Sequence, residues 1–381
     1  MPVAQHLKAE MKRRLEAIRA AMGRDRIDSL IIYGTTGVGT PMNGNYTYAS
    51  HHVPIYAASL MLLPRAGAPV LFVPGENQHL EARATGWVDD VRLSSNPVAD
   101  ICRHLTSADT ARTIAVSSLA ALPAVATETL RSRLDGAALV EGSGLIFDCR
   151  TSKAGYERDM LRRATAIADD GFARSLEVLA PGISELDWKA EAERVMTAAG
   201  ADGGFHMLSA GRPRAGPDAF TGYVVSPTER RIRAGDLALL EISPRFAGYY
   251  SQIVRLVSFG APPQDIVRAH DACIGAKNTA LAALVPDAPF ADVAHAMQTA
   301  IVGAGFTMKD IACAHTIGLD LSEQVITLKS PGAVTAGMVV TVHPMIALSD
   351  GRQMFVGDTV LVGASGVERL GAVSDDIAVI A

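Results

Sequence analysis

Several side chains in this 381-residue chain belong to types that do chemistry, and their spacing narrows what that chemistry is. The four cysteines, Cys102, Cys149, Cys273 and Cys313, are scattered without a two-residue gap between any pair. That spacing reads as reduced, buried thiols and not as a zinc site or a disulfide framework. The glycine-rich stretch Gly34-Thr35-Thr36-Gly37-Val38-Gly39 carries no Gly-Lys-Ser/Thr and opens no helix, and Pro41 and Asn43-Gly44 follow it. It reads as a turn, not a phosphate cradle. Arg212 and Arg214 stand two apart in the loop 211–216, where a pair of guanidinium forks could grip a substrate carboxylate.

The elements that must position such groups follow from composition and periodicity. The length favours two domains, and 49% hydrophobic with 20% charged residues is a globular balance. A net charge of −5 without a lysine/arginine stripe argues against nucleic acid. No apolar run is long enough to span a membrane, and no leader pattern opens the chain, so a cytoplasmic protein is expected. Leu7, Met11, Leu15, Ile18 and Met22 form a helical stripe over 4–25. Apolar runs at 29–33, 56–64, 69–73, 113–118 and 138–142 then alternate with helical patterns at 75–86, 97–106 and 121–133, which predicts an α/β layer. Beyond about residue 150 the pattern changes to a long helix through Leu161–Leu179, a helix at 185–199 capped by Ser184, strands after 203, and helices at 263–284 and 290–304.

The segment Gly235–Arg255 resembles the metal-site hairpin of the creatinase, Xaa-Pro peptidase and methionine aminopeptidase superfamily, and it is especially similar to the creatinase version. Ala314-His315-Thr316-Ile317-Gly318, Gly337–Ile346, Gly357–Val362 and the junction Cys149–Glu157 resemble further motifs of that superfamily, in its order. The resemblance implies an α/β (α+β) chain. An N-terminal creatinase-like α/β domain occupies residues 1–150 and a C-terminal pita-bread catalytic domain residues 151–381. It also maps the five ligands of a dinuclear metal site onto Glu241, Gln252, His315, His343 and Gly357, of which only the histidine at His315 is unchanged. The superfamily's proton-handling histidines fall on Val224 and Ser322, and creatinase's hairpin glutamate falls on Val254.

An ordinary dinuclear aminopeptidase is therefore not expected. Period-two alternation puts Glu241 on one strand face with Leu237 and Leu239, and His343 on one with Val339 and Thr341. In the pita-bread fold these two, with Gln252 and His315, converge in one pocket. The leading expectation is a metal-free, creatinase-like hydrolase of a non-peptide C–N bond in a small polar substrate, using Glu241, Gln252, His315 and His343 as an acid–base set. Two alternatives stay open. One is a single Fe, Mn or Zn ion held by Glu241, His315 and His343; the other is a catalytically dead module that binds a peptide or partner. Candidate substrate-binding residues are His206, Arg212, Arg214 and Glu323. Arg255 matches a structural arginine of the family. By the creatinase resemblance the chain forms a homodimer, and the loop carrying His51 and His52 lets His52 reach the partner's active site.

Overall fold

A computed structural model describes residues 2–36, 43–107, 113–214, 216, 218–309 and 313–381, except the side chains of 2–6 and 85. The chain divides into two compact units, Met1–Thr151 and Ser152–Ala381.

The first unit carries helices α1 (Pro2–Arg24), α2 (Gly44–Ser50), α3 (Glu76–Thr85), α4 (Pro97–Ser107), α5 (Ala124–Arg133) and α6 (Ser143–Thr151). Its strands are β1 (Ser29–Gly34), β2 (Ser59–Pro64), β3 (Val70–Val73), β4 (Asp90–Leu93), β5 (Thr113–Ser117) and β6 (Ala138–Glu141). They form one mixed sheet in the order β4-β3-β2-β1-β5-β6. The central strands are near-continuous apolar runs because both faces are covered. Ile31, Leu62, Phe72 and Val116 share a core with Ile101 of α4 and Leu130 of α5. The expected stripe on α1 is buried at Met11, Ile18 and Met22.

Three elements here escape sequence reasoning, one of them α6, for which no helical pattern is read. The turn signal at Asn43-Gly44 starts the short buried helix α2, and the polar edge strand β4 carries no apolar run. The glycine-rich stretch is described only at its ends. The Asn43 side chain accepts from the Thr35 N–H at 2.9 Å and donates to the Thr35 carbonyl at 2.9 Å. Gly37, Val38, Gly39 and Pro41 lie outside the described residues.

The second unit opens with α7 (Gly155–Ser175) and α8 (Glu185–Ala198). Ser184 caps α8 as expected, its hydroxyl accepting from the Asp187 N–H. Strands β7 (Gly203–Gly211), β8 (Leu237–Phe246), β9 (Tyr249–Tyr250) and β10 (Ile253–Phe259) follow, then α9 (Gln264–Ala283) and α10 (Phe290–Gly303). Short strands complete it: β11 (Thr307–Met308), β12 (Ala314–Thr316), β13 (Gln324–Ile326), β14 (Val339–Val342), β15 (Met345–Ala347), β16 (Gln353–Phe355), β17 (Asp358–Val362), β18 (Val367–Arg369) and β19 (Ala378–Ile380).

Two sheets matter for the site. One runs β19-β10-β8-β7 and the other β13-β12-β14-β17-β18. Strand β8 is buried over its first eight residues, and alternation divides them. Ala238, Leu240 and Ile242 pack under α7 and α8 with Phe172, Trp188 and Met196. Leu237 and Leu239 face the other way, with Val254 and Leu256 of β10 and Ile266, Ala269 and Cys273 of α9. A one-residue slip of β8 would exchange these faces and carry Glu241 into the α7–α8 core, so the burial pattern itself holds the carboxyl in register. Among the described residues no helix is long and apolar enough to cross a membrane.

Candidate active site

Glu241 sits on the Leu237/Leu239 face of β8, opposite Met207 of β7 and Val254 of β10. Gln252 lies two residues before Val254 on the same face, and its backbone is fixed by one side chain. The Thr359 hydroxyl accepts from the Gln252 N–H at 3.0 Å and donates to the Gln252 carbonyl at 2.9 Å. The amide of Gln252 then spans two groups. Its Nε2–H donates to Glu241 Oε1 at 2.6 Å, and its Oε1 faces His315 Nε2 at 3.1 Å. The ring of His343 stands edge-to-face on that of His315 with centroids 5.1 Å apart, and Phe355 backs it at 6.0 Å. The structure thus brings Glu241, Gln252, His315 and His343 into one row, as the alternation and the motifs lead one to expect.

Burial sets the electrostatics of the row. It pushes the Glu241 carboxyl up to about 7 against the opposing hydrogen bond from Gln252. Burial lowers His315 to about 4, although the Thr316 carbonyl and the Glu323 carboxylate pull upward. It lowers His343 to about 3, helped by the neighbouring His315. Both imidazoles are therefore neutral, and Glu241 is the one member of the row that changes charge near neutrality.

The hydrogen bonds couple that change to the rest of the row. His315 Nδ1 lies 3.2 Å from the Thr316 carbonyl, an acceptor that asks for a proton on Nδ1. When Glu241 is protonated, its hydroxyl can donate to the Gln252 oxygen, the amide N–H to His315 Nε2, and Nδ1–H to Thr316, leaving every partner matched. When Glu241 is ionised, the amide reverses and His315 Nε2–H becomes the donor. His343 Nδ1 is buried and has no hydrogen-bond partner among the described residues.

A raised carboxyl also fixes the sign of a stability effect. Glu241 binds its proton more tightly folded than unfolded, so its contribution is complete below the ordinary value of 4.5 and is lost as pH rises through about 7. The window amounts to roughly 3 kcal/mol. Glu241→Gln is expected to remove this slope. Urea melts of the variant and the parent should converge near pH 4.5 and separate by pH 8, the variant being the more stable. Parallel curves across that range would show that Glu241 does not titrate there.

The remaining candidates fall elsewhere. His206 pairs with Ile242, not with Glu241, so its side chain is on the other face of β7. Its Nδ1 accepts from the Ser243 N–H at 3.2 Å, and burial lowers it to about 4. Glu323 accepts from Lys153 Nζ at 2.6 Å, with both side chains buried, which makes it a structural partner that acts on His315 only through its charge. Arg212 and Arg214 line a separate cavity at the far end of β7. His52 is buried, 2.8 Å from the Tyr46 hydroxyl within the N-terminal unit, and is not the exposed loop residue its neighbours suggest; His51 occupies the left-handed C-cap of α2.

Arg255 is structural, as its motif position implies. It donates to the Val254 and Gly357 carbonyls at 2.9 and 2.7 Å and to Asp358 at 2.6 Å. Sequence reasoning missed Asp358, Lys277 and Asp375, which complete this charged group behind the site. It also missed Thr359, the clamp on Gln252. The available signals were Lys277, a lone charge on the apolar face of α9, and the motif Gly357–Val362, which contains Asp358 and Thr359.

These residues do not fit the metal pair that the superfamily resemblance implies. Gln252 offers an amide already engaged with both Glu241 and His315. Gly357 has no ligand, and a Cβ there would lie 2.7 Å from His343 Cβ. Among the described residues no three His, Cys, Asp or Glu side chains are grouped to hold a metal ion, because Gln252 stands between Glu241 and His315. Gly357→Ala is accordingly expected to destabilise the second unit by about 1–3 kcal/mol through overpacking. An unchanged denaturation midpoint would contradict that crowding.

Residues 159–364 match the metallopeptidase family M24, and residues 14–152 match the Creatinase/Prolidase N-terminal domain. The uncharacterized hydrolase/peptidase y4tL of Sinorhizobium fredii is 30% identical over 95% of both chains. A probable dipeptidase PepE of Mycobacterium tuberculosis is 27% identical over 80% of this chain and 81% of its own. The solved Xaa-Pro dipeptidase from Bacillus anthracis superposes with a TM-score of 0.82 at 18% identity, covering 97% of this chain and all of its own, a likeness of fold. These findings overturn the expectation of a metal-free hydrolase of a non-peptide bond, since the relatives bear the names of peptidases and dipeptidases. The expectation of no cofactor likewise gains no support from a family of metallopeptidases.

Proposed function

Because the chain belongs to the metallopeptidase family M24, we propose that it hydrolyses the C–N bond of a short peptide at the row Glu241–Gln252–His315–His343. The observation that carries this reading is a buried carboxyl with its pKa raised to about 7, next to two neutral imidazoles. A base with that value is half ionised at neutral pH and balances availability against basicity.

In its ionised form Glu241 takes a proton from the attacking water. Gln252 holds the carboxylate toward the substrate through its 2.6 Å hydrogen bond, and its reversal on protonation returns His315 to the tautomer that satisfies Thr316. His343 Nδ1, without a hydrogen-bond partner among the described residues, is the nitrogen of the row left to hydrogen-bond the scissile amide. Glu241 then gives its proton to the leaving amine. The names of the relatives support a dipeptide substrate.

The test is a panel of dipeptides, with proline and non-proline second residues, assayed by release of free amine. Turnover of at least one dipeptide that Glu241→Gln loses supports the reading. Cleavage of none, with the protein folded, contradicts it.

A second reading, a single divalent ion at Glu241, His315 and His343, is favoured by the family and by the unpartnered His343 nitrogen. It requires Gln252 to leave its place between the other two. About one metal per chain by elemental mass spectrometry, lost in His343→Ala, would decide for it.

A further inference from the structure

We propose that the far end of β7 carries a second binding site, for a small oxyanion, and that this site is separate from the row at Glu241. Arg212, Arg214, Asp218 and Gly235 are among the residues lining a cavity of about 460 Å³, a size common for small-molecule sites. Gly211 pairs with Leu237, four residues along β8 from Glu241. That spacing puts the Gly211–Leu237 pair about 13 Å along the strand from Glu241.

The charge there is not balanced. Asp236 is fully buried and serves two arginines at once: Arg230 Nη2 at 2.9 Å and Arg212 Nε at 3.4 Å. Arg233 faces Asp218 at 3.4 Å. Arg214 has no hydrogen-bond or ion-pair partner among the described residues, and Arg230 Nη1 is buried without a hydrogen-bond partner. With Arg352 and its partners Asp265 and Asp350 included, five guanidinium groups meet four carboxylates around this loop, which leaves one positive charge over, and Arg214 is the cavity-lining arginine without a partner among the described residues.

The described ends of the loop are tied together through their backbone. Arg212 N–H donates to the Asp218 carbonyl and Phe220 N–H to the Arg212 carbonyl, both at 2.7 Å. Arg352 holds the Pro213 carbonyl at 2.6 Å. Planar guanidinium forks carried on such a backbone suit an oxyanion that accepts two parallel hydrogen bonds, either a phosphate or a pair of carboxylates. The basic patch is a single concave spot and not a track, so a small molecule fits it better than a nucleic acid.

The experiment is isothermal titration of the full chain at low ionic strength with inorganic phosphate and, separately, with succinate. Saturable binding of either at one site per chain is expected. Phosphate alone identifies a tetrahedral oxyanion, and succinate alone a dicarboxylate. Arg214→Ala removes an exposed side chain with no structural partner, so it should fold normally and weaken binding about tenfold or more. Arg214→Lys should recover part of the loss. Glu241→Gln should bind as the parent does. Absence of saturable binding by both probes, equal binding by Arg214→Ala, or loss of binding in Glu241→Gln in place of Arg214→Ala would each overturn the proposal.

Discussion

Glu241→Gln is expected to lower the turnover of a cleaved dipeptide by roughly 10²–10⁴-fold, with little change in KM and no loss of fold. The substitution is close to isosteric. It keeps an oxygen for the Gln252 N–H that now bonds Glu241 Oε1 at 2.6 Å, so the row stays assembled while its only titrating member near neutrality disappears. A variant that retained more than a tenth of the activity would place the proton transfer on another group. Glu241→Asp is the companion measurement. Retreat of the carboxylate by one methylene should break its contact with Gln252 and lower kcat further than KM, as expected when an interaction is made mainly in the transition state.

The largest expected loss of stability comes from Asp358→Ala. Asp358 is buried among Arg255, Lys277 and Arg369, and Asp375 takes a second contact from Lys277 at 2.6 Å and from Arg369 at 2.9 Å. Removing one carboxylate leaves buried cations short of a partner, a change that typically costs about 3–5 kcal/mol and lowers a melting temperature by roughly 10 °C. Burial pushes the Asp358 pKa up, but the three cations outweigh it and hold it at about 2. Its contribution is therefore complete above the unfolded carboxylate range and is lost as pH falls through about 2. Acid unfolding of Asp358→Ala should be correspondingly shallower between pH 4 and 2. Because Arg255 also fixes the Gly357 carbonyl, next to Val254 and so to Glu241, the variant should lose activity even when cooled to a temperature where it is folded. A melting curve within 2 °C of the parent, a threshold set against that roughly 10 °C loss, would mean that the cluster stabilises nothing.

The parts of the molecule readable in advance share a physical cause. The helices α9 and α10 bury long stripes at three- and four-residue spacing, so periodicity places them, whereas β8 is a continuous apolar run that the motif resemblance locates and whose pleat then sets Glu241 on the face of Leu237 and Leu239. His343 arrives the same way from β14 and the turn after it. The seven-residue α2 has no room for a stripe, and Asn43 before it carries a turn signal, so its burial is set by tertiary packing. Gln252 is a different case. Its position was visible, but a neutral amide announces no chemistry until its two neighbours are placed on either side of it. Lys277 and Asp375, 98 positions apart, pair only once the fold brings α9 against the chain end. The direction of a side chain is likewise invisible when the strand continues past the site, which is why His206 and the two loop arginines could be named as reactive types but not assigned to a cavity.

The central claim is that Glu241 transfers the proton in peptide hydrolysis. The most direct test is the pH dependence of kcat/KM between pH 5 and 9 on a dipeptide that the chain cleaves. A rise with an inflection near 7, where burial puts this carboxyl, is predicted, and the inflection should be absent from the residual activity of Glu241→Gln. A flat profile, or an inflection that persists unchanged in the variant, would contradict the account.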